Sequence, residues 1–355
     1  MTKVKTAIVT GAYGYIGTVL SKVLKSEGYH VIGIDTDPSA TDDWLFRGNR
    51  TKYCDQFLVD SFASDAGLHA LSEYPNATVF HLAANSLLGP SAYEPLTYFE
   101  NNTANTLKLL QHLRPTNRLV FASTAAVYAV TEVQPIKESS RIGPPNNYGL
   151  SKLWCEQMID AYHELGHIKA SSFRFFNVIG ADGDVGQQLG TPHLIPQLCR
   201  AASTGTPFQL YSADYPTQDG TCVRDYFSVV DVARALIHAD KYMETLRKYS
   251  CHLKFNLGTQ SGFSVNEIIT AFEEVIDGPI NVETVGRRIG DPPLLVADPS
   301  KFIKKTSFEY KHSESLRDMI RGAWEYYNEQ HSIRGKRDLR QVQRRNGTDE
   351  KDDSV

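Results

Sequence analysis

No run in this 355-residue chain comes near the ~18 consecutive apolar residues that a membrane-spanning helix needs. Its five cysteines (Cys54, Cys155, Cys199, Cys222 and Cys251) form no Cys-x-x-Cys pair to join a histidine pair, so no metal site is assigned. Scattered in this way, the cysteines read as free thiols in a reducing compartment. Excess charge of either sign is missing too. A net charge of -4 gives no reason to expect nucleic acid or an anionic membrane as a partner. The chain begins MTKVKTAIVTG, which passes straight into an apolar β-type run and leaves no room for a signal peptide, so the expected location is the cytoplasm.

What is present is an apolar fraction of 41%, enough to bury a large α/β core. From residue 4 to about 180, short β-rich runs alternate with helical stretches: VKTAIVTG, HVIGID, ATVFHLAA, RLVFAST and ASSFRFFNVIG read as strands, and YIGTVLSKVLKSEG and YGLSKLWCEQMIDAYHEL as helices. That alternation predicts a doubly wound parallel sheet. After Gly180 the text breaks into Gly-, Pro- and Asp-rich segments, and regular elements resume with CVRDYFSVVDVARALIHAD and KFNLG. FSVNEIITAFEEVI opens with a capping box, Ser264 to Glu267. From residue 334 a basic block is followed by an acidic one, which reads as a disordered tail over 334–355.

Three features carry chemistry. The first strand runs into TGAYGYIG, which places Gly11, Gly14 and Gly17 before a helix. Glycines there let the backbone turn sharply and approach a pyrophosphate at the helix N terminus. Asp35 ends the second strand, where a carboxylate bridges ribose hydroxyls and repels a 2′-phosphate, so NAD is favoured over NADP. Asp37, close by, reads as a solvated loop residue. Second, LVFASTAAVY ends a strand with Ser123 and Thr124 and follows them with Ala125 and Ala126, with no acid beside the hydroxyls. Third, Tyr148 and Lys152 stand four apart on a predicted helix and so share one face. A phenol with its ordinary pKa near 10 stays protonated at neutral pH, too high a pKa for a base, but a nearby ammonium and a cationic nicotinamide lower it.

Together these features resemble the extended short-chain dehydrogenase/reductase family over about residues 4 to 330. YPTQDGTCVRDY (215–226) and RRIGDPP (287–293) are similar to its UDP-sugar 4-epimerases, the UDP-galactose 4-epimerase group. The resemblance implies a Rossmann domain over 1–180 with a return segment at about 222–258. It implies a smaller C-terminal α/β substrate domain from 181–221 and 259–333, a tightly held NAD, a UDP-sugar substrate and a homodimer. In that family Tyr148 would be the base, Lys152 would hold the nicotinamide ribose, Thr124 would bond the sugar 4′-oxygen and Ser123 would support it. Tyr15 and Ile16 would lie in the cofactor turn, Asp60 near the adenine, His81, Leu82, Ala83 and Ala84 along the cofactor, and Asn101 near the pyrophosphate. Ser86 replaces a lysine that contacts the cofactor in many members.

On the substrate side, the resemblance assigns Arg224 and Arg288 to the two phosphates, Asp291 to the uridine ribose, Gln209 and Tyr211 to the uracil and Asn177 to a phosphate. Tyr226, His193 and Leu194 complete the expected lining. His193 stands in place of the usual asparagine, and a structural histidine is an equal reading. Leu295 stands where a residue gates the sugar pocket, so hexoses, N-acetylhexosamines and pentoses all stay open. Dehydratases of the same fold place an Asp-Glu pair after the strand-end threonine, and decarboxylases carry a glutamate there. Ala125 and Ala126 transfer no protons, which favours epimerisation. A non-catalytic NAD sensor is the remaining rival.

Overall fold

Successive side chains of the first strand, β1 (Thr6–Thr10), enter two different cores: Ala7 and Val9 join one, Ile8 the other. A strand that is apolar on both faces requires cover on both sides. Five further strands follow in sequence, β2 (His30–Asp35), β3 (Gln56–Val59), β4 (Thr78–His81), β5 (Arg118–Thr124) and β6 (Lys169–Phe175). The alternation recurs in β4, where Phe80 and Val79 divide between the cores, and in β5, where Val120 faces one core and Leu119 and Phe121 the other. The structure is a computed structural model that describes residues 4–36, 51–188, 190–211, 213–247, 249–287 and 291–346.

These six strands and the strand Cys251–Leu257 form one seven-stranded sheet in the order Cys251–Leu257, β6, β5, β4, β1, β2, β3. All six pairings are parallel. Chain order reverses direction beside β1, which creates a crevice at the carboxyl ends of β1 and β4. The doubly wound sheet is the one the alternation of strands and helices led us to expect.

A smaller layer is built mainly from the chain beyond β6. The short strand Asn177–Ile179 pairs with Val223–Ser228, which also pairs with Gly262–Ser264 and Leu294–Leu295. A separate parallel pair joins Phe208–Tyr211 to Val282–Val285. Leu198, Phe208, Tyr226, Ile268, Phe272 and Ile320 form a third core beneath the helices Leu194–Thr204, Val265–Ile276 and Leu316–Asn346. The capping box is present: Ser264 Oγ accepts from the Glu267 amide, and the Ser264 amide donates to Glu267 Oε2 at 2.7 Å. The last helix continues through residue 334, where charge composition led us to begin a tail, and its backbone runs to Asn346. Its Arg- and Gln-rich text favours helix as well as charge. Residues 347–355 lie outside the described residues.

One polar cluster ties the second half of the chain to the sheet. The helix Val229–Thr245 carries Asp240, which is fully buried and accepts from Thr78 Oγ1 at 2.8 Å and Tyr29 OH at 3.3 Å while pairing with Arg118. Removing one partner of such a pair leaves the other desolvated and uncompensated. Asp240→Ala is therefore expected to cost roughly 3 kcal/mol or more of unfolding free energy, read by urea denaturation. A loss within experimental error would show that Arg118 recovers its solvation elsewhere.

Candidate active site

Because the sheet is parallel, its candidate residues gather at one edge, the carboxyl ends of the strands. Gly11 follows β1 with φ +72°, and a Cβ there would lie 2.7 Å from the Ala83 amide nitrogen. A Cβ on Gly17 would lie 2.0 Å from the Gly11 carbonyl oxygen. The turn can fold this tightly only with glycine at both places. Gly14 caps the helix Tyr15–Ser26 without a side-chain hydrogen bond, and the first turn holds no acid. The helix N terminus therefore offers its backbone N–H groups to an anion.

Asp35 stands beside this turn. Its carboxylate accepts from the amide of Tyr13 at 2.8 Å and from that of Thr36 at 2.9 Å. Asp60, at the end of β3, donates its amide to the Asp35 carbonyl at 2.8 Å. Leu82 and Ala83 lie against the turn, with the Leu82 amide on the Thr10 carbonyl at 3.1 Å and the Ala83 amide on Thr10 Oγ1 at 3.4 Å. Ala84 follows them, half-buried, and Ser86 is exposed. Tyr15 and Ile16 both pack against the core, and Tyr15 donates its hydroxyl to the Gly180 carbonyl at 2.6 Å. A glycine cradle, an uncapped helix end and an anchored carboxylate fit a dinucleotide with free ribose hydroxyls. Asp37 lies outside the described residues.

Asn101 is half-buried in a π-helical turn, Phe99–Ala104, and its side chain donates to Asn102 Oδ1 at 3.1 Å. The neighbouring Asn102, which the sequence did not single out, does more to shape the site. It accepts from the Asn85 amide at 2.8 Å and donates to the Asn85 carbonyl and Ser151 Oγ, each at 3.0 Å. It thus joins the loop after β4 to the helix that carries Tyr148. His81 lies between Thr10 Oγ1 (2.7 Å) and Thr106 Oγ1 (2.9 Å), and burial holds its pKa down to about 3, so it is neutral. The extra residue of a π turn is the local signal that was missed.

The helix Asn147–Glu164 begins at Asn146, whose Oδ1 accepts from the Gly149 amide at 2.8 Å. It lies very close to the turn Ala125–Val127, for a Cβ on Gly149 would sit 2.1 Å from the Ala126 carbonyl oxygen. This approach brings Tyr148 near Thr124, whose hydroxyl favours the ionised phenol. Burial pushes the phenol up to about 12, and the Thr124 bond works against that rise by favouring the phenolate. Burial pulls Lys152 the other way, down to about 8. Lys152 Nζ donates to the Ala122 carbonyl at 2.8 Å and lies 4.7 Å from the centre of the Phe121 ring. Ser123 behaves differently from its neighbour. Its Oγ donates to Glu156 Oε1 at 2.6 Å, so it faces the scaffold and not an incoming oxygen. It is the cross-strand partner of Arg174 and shares that residue's face of the sheet.

Residues 7–258 match the NAD dependent epimerase/dehydratase family. The chain belongs to this family. It is 36% identical to a UDP-glucose 4-epimerase of Corynebacterium glutamicum over 325 residues, covering 90% of this chain and 94% of that protein. Its fold is similar to that of a UDP-glucose-4-epimerase from Stenotrophomonas maltophila with bound NAD and formylated UDP-arabinopyranose. The TM-score is 0.84 and the identity 30%, covering 92% of this chain and 99% of that one. It is also similar to a Bifidobacterium longum UDP-glucose 4-epimerase in complex with NAD+ and UDP, with TM-score 0.81, 30% identity and 92% and 98% coverage.

In this family member the remaining candidates fall on the smaller layer. Arg224 is buried on Val223–Ser228, and its Nη2 donates to Asp291 Oδ1 at 2.7 Å. Tyr226 is buried two residues on, opposite Asn177 in the strand register, and desolvation raises its pKa. Gln209 and Tyr211 share the strand Phe208–Tyr211, with Gln209 exposed and Tyr211 half-buried. His193 is exposed at the cap of the helix Leu194–Thr204, where its side chain makes no capping bond, and Leu194 is half-buried. Arg288 lies outside the described residues. If the Asp35 carboxylate selects the cofactor, Asp35→Ser improves binding of NADP relative to NAD by roughly 10-fold, the effect of one charge contact. Titration of the apoprotein with each cofactor checks this, and an unchanged ratio would place the selection elsewhere.

Proposed function

We propose that the chain is an NAD-dependent UDP-sugar 4-epimerase that interconverts UDP-glucose and UDP-galactose through a 4-keto intermediate. One observation carries the reading: the Tyr148–Thr124 hydroxyl pair stands beside a dinucleotide cradle, and the next two positions, Ala125 and Ala126, bear only methyl groups. Bound NAD supplies the reversible hydride acceptor for the sugar C4. Tyr148 removes the proton of the 4-hydroxyl and later returns it, and Thr124 holds that oxygen in line with the phenol. Lys152, anchored on Ala122, would hold the nicotinamide ribose and supply positive charge there. Neither alanine protonates or deprotonates a neighbouring sugar carbon, so water elimination has no acid or base at this strand end.

Substrate hold is divided between two regions. Arg224 and Arg288 grip the pyrophosphate, for which guanidinium forks are suited. Asp291, now paired with Arg224, accepts the uridine ribose, and Tyr211 and Gln209 flank the uracil. Asn177, His193, Leu194 and Tyr226 complete the lining. Near the sugar, Leu295 pairs in register with Arg224 and is half-buried. A branched apolar side chain makes no fixed polar bond to a hexose, which leaves the ring free to turn. Its intermediate size supports a second reading, an N-acetylhexosamine or xylose 4-epimerase.

The same reading places the enzyme in the cytoplasm, with no nucleic acid or membrane partner. Among the described residues no helix is long and apolar enough to cross a membrane, and no disulfide is formed. It also makes the enzyme a homodimer. Leu96 (77% exposed), Tyr93, Leu107 and Trp154 present apolar surface from helices that pack on one another, and a second copy would cover them. Sedimentation should show a two-chain species that Trp154→Glu converts to one chain. A monomeric parent would remove the dimer.

With purified holoprotein, UDP-galactose is expected to yield UDP-glucose faster than UDP-N-acetylgalactosamine or UDP-xylose yields its 4-epimer. Tyr148→Phe should lower kcat by at least about 10²-fold, as loss of an acid-base group does, while UDP still binds. Full activity in that variant would sink the mechanism. A dehydrated or oxidised sugar as the sole product would sink epimerisation.

A further inference from the structure

Glu156 lies one helical turn beyond Lys152 and two beyond Tyr148, on the same face of the helix Asn147–Glu164. Its carboxylate is met by a guanidinium fork from β6: Arg174 Nε donates to Oε1 at 3.0 Å and Nη2 to Oε2 at 2.7 Å. Both side chains are almost wholly buried, with exposures of 1% for Glu156 and 3% for Arg174. Ser123 Oγ donates to the same Oε1, one residue before Thr124. On its far side Arg174 Nη1 donates to Tyr128 OH at 2.9 Å, and the guanidinium lies over the Tyr128 ring at 4.8 Å. Tyr128 OH then donates to Asn256 Oδ1 at 2.6 Å, and Asn256 Nδ2 to the Ile136 carbonyl at 2.7 Å. One network thus holds the helix, the end of β5, the turn after it, β6 and the edge strand Cys251–Leu257.

Stability is a poor account of this pair. Desolvating two ions is costly, and well-packed apolar residues often replace such a pair without loss. What apolar residues do not supply is direction. A two-point fork fixes the angle between the elements that carry it. Here those elements carry the residues assigned to the reaction, and the network reaches the strand end through Ser123.

We propose that Glu156 and Arg174, with Ser123 as the third member, form a positioning device for epimerisation: they fix the helix Asn147–Glu164 against β5 so that the Tyr148 phenol meets Thr124. None of the three touches the sugar. They act through Tyr148, Lys152 and Thr124, and the proposal rests on the epimerase reading above.

The test uses NAD-loaded parent, Ser123→Ala and the double variant Glu156→Met/Arg174→Met, which removes both buried charges together. Melting temperature, bound NAD, KM and kcat for UDP-galactose are measured for each. The double variant is expected to melt near the parent and keep its NAD and its KM within about twofold, while kcat falls roughly 10²-fold, the cost of a small misplacement of reacting groups. Ser123→Ala keeps the ion pair and is expected to lose about 10-fold in kcat at unchanged KM. A folded, NAD-loaded double variant with parental kcat overturns the proposal. Should the double variant fail to fold, Ser123→Ala decides alone, and parental kcat there overturns it equally. A parent that does not convert UDP-galactose removes the epimerase reading and this proposal with it; an active parent with unimpaired variants removes the proposal only.

Discussion

The close approach of one helix to one turn sets the geometry of the candidate site. Gly149 rests against the Ala126 carbonyl, where a Cβ would come within 2.1 Å. A larger residue would push the start of the helix Asn147–Glu164 off the sheet edge and take Tyr148 away from Thr124. The contact works from both sides. The turn after Thr124 is tight because Thr124 Oγ1 accepts from the Ala126 amide at 3.1 Å, and that bond turns the Ala126 carbonyl toward the helix. Tyr148 and Thr124 therefore meet where backbone meets backbone, and the buried side chains behind them hold that approach at one angle.

Burial then acts on the two ionisable groups in opposite senses. It raises the Tyr148 phenol to about 12 and lowers Lys152 to about 8, in each case by disfavouring the charged form. A protein that had to ionise Tyr148 unaided would be working against its own desolvation. The Thr124 hydrogen bond supplies part of the correction. A cationic nicotinamide beside the phenol supplies the kind of charge that the rest requires. In the proposed mechanism the base would thereby be coupled to the oxidised cofactor: the phenolate would be most populated when a hydride acceptor is in place.

Much of this was legible in the chain before folding. The strand-helix alternation shows in apolar runs cut by glycine, because a parallel sheet covered on both faces needs continuous apolar strands. Gly11, Gly14, Gly17 and Asp35 are legible because a close phosphate approach and a ribose contact each demand one residue type. Tyr148 and Lys152 are legible by helical spacing. Ser123 is less legible, since a hydroxyl beside a hydroxyl gives no sign of which faces the scaffold until Arg174 is known to be its cross-strand neighbour. Asn102 was passed over for Asn101, because the choice between adjacent asparagines depends on a π turn that shifts the helix phase. The partners of Glu156 and Asp240 lie far off in sequence, and no local spacing announces such pairs.

The smaller layer faces a different constraint, for a 4-epimerase must hold its nucleotide firmly and its sugar loosely. Arg224 shows how these demands are kept apart. It is buried and already paired with Asp291, so its guanidinium is oriented before any phosphate arrives. A pre-oriented charge loses little freedom on binding, and that favours a firm grip on the diphosphate. At the same register sits Leu295, half-buried, which in the proposed reading would bring only apolar surface to the sugar. In that reading charge and fixed geometry would serve the nucleotide, and shape without direction the hexose. That asymmetry is what lets a ketosugar turn over while its phosphates stay in place.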